Sequence, residues 1–106
     1  PEPVNLLAKA ARLPGHWHPH GVGALNGQEV KVVKFVGEFV WHSHAETDEL
    51  FLVLQGEFDM QFRGQAVRVR QGEFIVVPRG TEHRPVADAE VEVLLFEPAS
   101  TVRTGD

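Results

Sequence analysis

His42 and His44 stand one residue apart directly after Phe39-Val40-Trp41, and no other feature of the chain limits its local backbone as much. A run of aromatic and β-branched residues favours a strand. On a strand, residues i and i+2 project to one face, so both imidazoles are expected to point the same way. Ala45 to Asp48 are small or polar and read as a turn. Glu49 then opens a second apolar strand, Leu50 to Leu54, which ends at Gly56. A hairpin of this kind returns Glu49 towards the two histidines.

The pattern recurs downstream, where Gly72-Glu73-Phe74-Ile75-Val76-Val77 runs into the turn Pro78-Arg79-Gly80 and emerges at His83. Three imidazoles and one carboxylate, His42, His44, Glu49 and His83, make a donor set for one divalent transition metal ion. Nitrogen and oxygen donors suit iron, manganese, nickel, copper or zinc, and four ligands leave two positions of a six-coordinate ion open. The sequence does not choose among these metals.

These residues resemble the two signature motifs of the cupin superfamily. The first is Gly37-x4-His42-x-His44-x4-Glu49-x6-Gly56 and the second Gly72-x5-Pro78-x-Gly80-x2-His83. Two departures stand out: Gly37 is one residue closer to His42 than in the usual pattern, and Ala87 stands where an asparagine often closes the second motif. Neither position is a ligand. The phrase Trp41-His42-Ser43-His44, Asp48-Glu49 and the tail Glu97 to Asp106 are similar to small prokaryotic single-domain cupins of the type-2 group, loosely labelled mannose-6-phosphate isomerase-like. The resemblance implies an all-β fold, a double-stranded β-helix or jelly-roll barrel, with the metal held inside. It implies no single reaction, because members include dioxygenases, isomerases and non-enzymatic storage or sensor proteins.

At 106 residues the chain is expected to form a single cupin domain, residues 1–106, with room for one core. Within it, 1–24 reads as an N-terminal arm, 28–97 as barrel strands and 98–106 as a tail that either crosses the barrel mouth or trails in solvent. A net charge of −5 without any basic block argues against a nucleic-acid partner. Cysteine is absent, which excludes disulfides, thiolate metal ligands and a thiol nucleophile. No apolar stretch approaches membrane-spanning length, and the first residues lack a basic segment followed by an apolar run. A cytoplasmic location without membrane association is therefore expected.

Taken in order, Leu6 to Leu13 suggest a short helix or an arm, closed by Pro14-Gly15. His16-Trp17-His18-Pro19-His20 resembles a second metal cluster, but Pro19 interrupts the geometry that would align its imidazoles. The segment reads as an exposed loop, with Trp17 covering an apolar surface. Asn26-Gly27 forms a turn into a strand over 28–36. Phe58, Met60 and Phe62 alternate with polar residues, as do Val67 and Val69 across the Gly64-Gln65 turn, giving an antiparallel hairpin with a wet outer face. Val91 to Glu97 returns to strand.

Leu50, Leu52 and Leu54 share one face of their strand. If Glu49 points inward, Phe51 and Val53 follow it and the three leucines face outward. Either a second copy of the chain or the N-terminal segment with Trp17 must cover them, and a homodimer is the expected cover. Inward positions carry mainly Phe, Met and Val, which favours a small or partly apolar ligand. Two functions stay open. One is metal-dependent chemistry on a small molecule, dioxygenase-like or isomerase-like, with Glu46, Asp48 and Glu82 as candidate acid–base groups. The other is a non-catalytic module that binds or senses a metal or small ligand.

Overall fold

The structure, a computed structural model, describes residues 1–105. It opens with a six-residue helix, α1 (Leu6–Ala11), one of whose free amides is capped: the Asn5 side chain accepts from the Ala8 N–H at 3.0 Å. Seven strands follow, β1 (His20–Leu25), β2 (Gln28–Glu38), β3 (Glu49–Gln55), β4 (Glu57–Phe62), β5 (Gln65–Arg70), β6 (Phe74–Val77) and β7 (His83–Pro98). All pairings are antiparallel, and the sheet order is β1-β2-β7-β3-β6 with β4 bridging β5 and β7. This is the jelly-roll barrel that the sequence motifs imply.

The sixteen-residue strand β7 joins the two halves of the barrel. Its first residues, His83 to Val86, pair with β4, while its later residues pair with β2 on one side and β3 on the other. Strand alternation then decides the core. Val33 and Phe35 of β2, Phe51 and Val53 of β3, Phe58 and Met60 of β4, and Val91, Val93 and Leu95 of β7 form one buried cluster.

Three expectations are corrected. Residues 20–24, read as part of the 1–24 arm, belong with Leu25 to β1, which pairs with β2 with a register shift between Gly21 and Gly23. The strand read across Phe39 to His44 does not exist. Gly37, at φ +86°, lies at a bulge where the β2–β7 register shifts, and β2 ends at Glu38. His42 then touches the sheet only through an isolated bridge to His83. The last strand begins at His83, not at Val91.

On the outer face, neighbouring strands align Val32, Leu94, Leu52 and Phe74 in one row and Val30, Phe96, Leu50 and Val76 in the next. The helix α1 packs on β2 and β7, burying Ala10. Leu50 and Leu52 are half-buried, but Phe74 is 63% exposed and Val76 45%. Trp17 does not reach this face: it stacks inside the barrel mouth on Phe35 and Phe39, with ring centroids 4.6 and 4.8 Å away.

Candidate metal centre

His42 and His44 lie on the irregular segment after β2, Glu49 is the first residue of β3, and His83 is the first residue of β7. The polar backbone of that segment is secured by the sheet. The His42 N–H donates to the His83 carbonyl at 3.1 Å and the His83 N–H donates back to that of His42 at 2.9 Å. Gly80, in the turn before His83, donates its N–H to the His44 carbonyl at 2.7 Å, so the second motif holds the first. With φ at +76°, this position suits glycine.

All four side chains are buried, His83 completely, and their candidate ligand atoms lie within 4.8 Å of one another. Glu49 Oε1 is 3.3 Å from His44 Nε2 and 3.4 Å from His83 Nε2. The tautomers of two rings follow from their partners. His42 Nδ1 lies 2.9 Å from the Val40 carbonyl and His83 Nδ1 2.8 Å from the Thr81 carbonyl. A carbonyl only accepts, so each Nδ1 carries the proton and each Nε2 presents a lone pair to the cluster. Such carbonyl contacts orient metal-binding imidazoles.

Electrostatics agree with an assembly of donors. Burial holds His42 below its ordinary value and favours the neutral ring, the form that binds metal. Burial alone would raise Glu49, but contacts with His44 and His83 and a hydrogen bond with the Glu97 carboxyl outweigh it and hold the carboxyl below the ordinary carboxylate range. Glu49 Oε1 and His83 Nε2 are buried without a hydrogen bond. A single ion bound to both atoms would satisfy them, so the residues present fit a divalent metal ion.

A cavity of about 240 Å³ opens beside the cluster, lined in part by His42, Glu49, Phe35, Phe39 and Trp17. It also contains two charged residues that the sequence reading overlooked. Lys31 donates to Glu97 Oε1 at 3.0 Å, and Glu97 is only 3% exposed. Burial, reinforced by the neighbouring Glu49 carboxylate, pushes the Glu97 carboxyl up to about 8. Strand period was the available signal. Lys31 shares its face with Val33 and Phe35, and Glu97 shares its face with Val93 and Leu95. The tail crosses the mouth, where Thr101 and Arg103 join the lining.

The other sequence candidates lie elsewhere. Glu46 is exposed, Asp48 pairs with Arg79 at 3.2 Å, and Glu82 pairs with Arg63. These arginines hold both carboxyls below the ordinary range, and none of the three candidates lines the cavity. Surface pairing, rather than an inward position, is their environment. In the histidine-rich loop, His16 Nε2 lies 2.7 Å from Glu90 Oε2 and His20 begins β1. Trp17 covers apolar rings, as expected.

The cupin domain profile matches residues 29–97, and the chain belongs to that family. Uncharacterized protein YdbB of Bacillus subtilis (strain 168) is 35% identical over 81 residues, covering 76% of this chain and 72% of that protein. Among solved structures, a cupin-2 domain containing protein from Shewanella frigidimarina NCIMB 400 superposes with a TM-score of 0.88 at 40% identity, covering 90% of this chain and 93% of that one. Protein NMB1881 from Neisseria meningitidis gives 0.84 at 28% identity, covering 92% and 100% of the two chains.

Proposed function

We propose that this chain is a metal-binding cupin, working as a single domain, in which His42, His44, Glu49 and His83 hold one divalent transition metal ion for chemistry on a small molecule. The observation that carries the reading is the pair of buried donor atoms, Glu49 Oε1 and His83 Nε2, left without hydrogen bonds 3.4 Å apart. Iron, manganese, nickel, zinc and copper all suit these donors. When bound, such an ion polarises a carbonyl or hydroxyl oxygen or activates dioxygen, which covers isomerase-like and dioxygenase-like reactions.

The chain's own residues supply the rest. Val40 and Thr81 carbonyls fix the His42 and His83 rings. Trp17, Phe35 and Phe39 give the cavity an apolar wall, while Lys31, donating to Glu97, places a hydrogen-bonded polar pair on another wall. A small molecule is thus the natural partner. The net charge of −5 supports the absence of a nucleic-acid partner. No helix among the described residues is long and apolar enough to cross a membrane. We take the cytoplasm as the place of action and a two-fold dimer as the working form, the latter supported by the exposed Phe74 and Val76 beside the leucine row.

The test is a screen of metal-loaded protein for dioxygen uptake and for isomerisation, using small acids, diketones and sugars. Turnover that disappears in His83→Ala is the expected result. Turnover that survives this substitution would contradict a role for the cluster.

A further inference from the structure

The Glu49 carboxylate has a neighbour outside the histidine cluster. Glu97, near the end of β7, shares a side-chain hydrogen bond with it, and the two residues are only 3% and 6% exposed. On its other side, Glu97 Oε1 accepts from the Lys31 ammonium at 3.0 Å. A line of polar groups therefore runs along the cavity wall from Lys31 through Glu97 to Glu49.

A hydrogen bond between two carboxyls needs one proton, and the surrounding groups decide which residue carries it. Glu49 Oε1 faces Nε2 of His44 and of His83, and a carboxylate binds a metal ion without its proton. Glu97 is therefore the donor. Lys31 only donates, so Glu97 Oε1 is the accepting oxygen and Oε2 is left to donate.

We propose that Glu97 is a positioning residue for the metal centre. It donates to the Glu49 carboxylate and holds Glu49 Oε1 turned towards His44 and His83, while Lys31 fixes the orientation of Glu97. The inference rests on reading His42, His44, Glu49 and His83 as the metal ligands. Val40 and Thr81 carbonyls orient the His42 and His83 rings, and Glu97 does the same for the carboxylate. The role requires a hydrogen-bond donor at position 97, not a group that titrates, so an amide would serve. A carboxylate engaged by Glu97 offers the ion one oxygen rather than two. That preserves the open coordination positions a small molecule would use.

The experiment is titration of the metal-depleted chain with cobalt(II), followed by visible absorption, which reports coordination geometry as well as occupancy. Glu97→Gln keeps a donor for Glu49 and an acceptor for Lys31, so its affinity and spectrum should match the wild type. Glu97→Leu removes the donor at similar volume and should bind cobalt about 10–100-fold more weakly. Its spectrum should also change, because Glu49 is then free to turn. The double variant Lys31→Met, Glu97→Leu removes both members of the polar pair and should show the same loss. Circular dichroism establishes that each variant is folded, and the double variant decides the matter if Glu97→Leu alone does not fold.

Cobalt affinity and spectrum unchanged in folded Glu97→Leu, or in the double variant, would overturn the positioning role. So would a loss in Glu97→Gln equal to that in Glu97→Leu, which would mark a merely structural pair. Those results leave the metal centre standing. Wild-type protein that binds no cobalt rejects the metal centre, and the positioning role with it.

Discussion

Glu97 sits where the barrel interior withholds water from a carboxyl, and its titration follows from that position. In the metal-free protein its folded value lies near 8 against an ordinary 4.5. A raised carboxyl keeps its proton in the folded state after the unfolded chain has lost its own, so stability falls as pH rises between the two values. His42, held below its ordinary 6.5, acts in the opposite direction, because its contribution grows as pH rises towards that value. Above 6.5 only the Glu97 effect remains of these two. Metal-free protein should therefore lose on the order of 1–2 kcal/mol between pH 6.5 and 8, and Glu97→Gln should flatten the slope. Urea denaturation across that window measures it; a wild-type slope equal to that of Glu97→Gln would refute the account. The four clustered donors were legible in the sequence because spacing and donor chemistry mark them together. Lys31 and Glu97 were overlooked because a charged residue near a strand end resembles solvated surface until strand period is applied strictly. Thr101 was not legible, since its position depends on a tail with no periodic signal.

Elements are joined here by turns that tolerate little change. Between β3 and β4 the chain swings from one half of the barrel to the other at Gly56, with φ at +91°. A Cβ there would lie 3.1 Å from the Glu90 carbonyl oxygen and 3.3 Å from Val91 Cα, both backbone atoms. Gly56→Ala should cost about 1–3 kcal/mol through positive-φ strain, with β7 pushed aside in addition. Chemical denaturation reads this directly, and an unchanged midpoint would contradict the assigned turn. At this scale the hairpin of β4 and β5 was legible from its alternation and the strands β3 and β6 from their apolar runs, whereas the segment of α1 read equally as a short helix or an arm. The strand β1 was hidden by Gly21 and Gly23, which weaken strand propensity and mark its register shift. The early part of β7 was hidden by Pro85 and by exposed Asp88, Ala89 and Glu90, which read as breakers. The ladder accepts Pro85 opposite Met60, and its carbonyl receives the Phe39 N–H at 3.0 Å. Phe39 to His44 failed as a strand for a different reason: bulge and turn geometry ended β2 despite favourable side chains.

For the whole molecule, the outer face and the metal centre make separate demands. The helix α1 covers the β2 side of the sheet, while Phe74 and Val76 remain in water next to Leu50 and Leu52. Burying each large apolar side chain is worth about 1.5–3 kcal/mol, so the proposed two-fold pairing of these faces would offset their exposure. Light scattering should give a mass near twice 11.8 kDa, and Leu52→Asp should return it to monomer. A monomeric wild type at high micromolar concentration would refute the pairing. An ion bound to the folded chain alone also stabilises it, by about 2.7 kcal/mol at a free concentration one hundred times its dissociation constant. Loss of one of four ligands should weaken binding beyond the roughly 10–100-fold seen when groups that merely orient ligands are removed. Elemental analysis of purified protein, without an affinity tag, tests the central claim most directly. About one transition metal ion per chain is expected in the wild type and in the triple variant His16→Ala, His18→Ala, His20→Ala, with occupancy close to zero in His83→Ala. A full complement of metal in His83→Ala, or an empty triple variant, would contradict the assignment of His42, His44, Glu49 and His83 as the site.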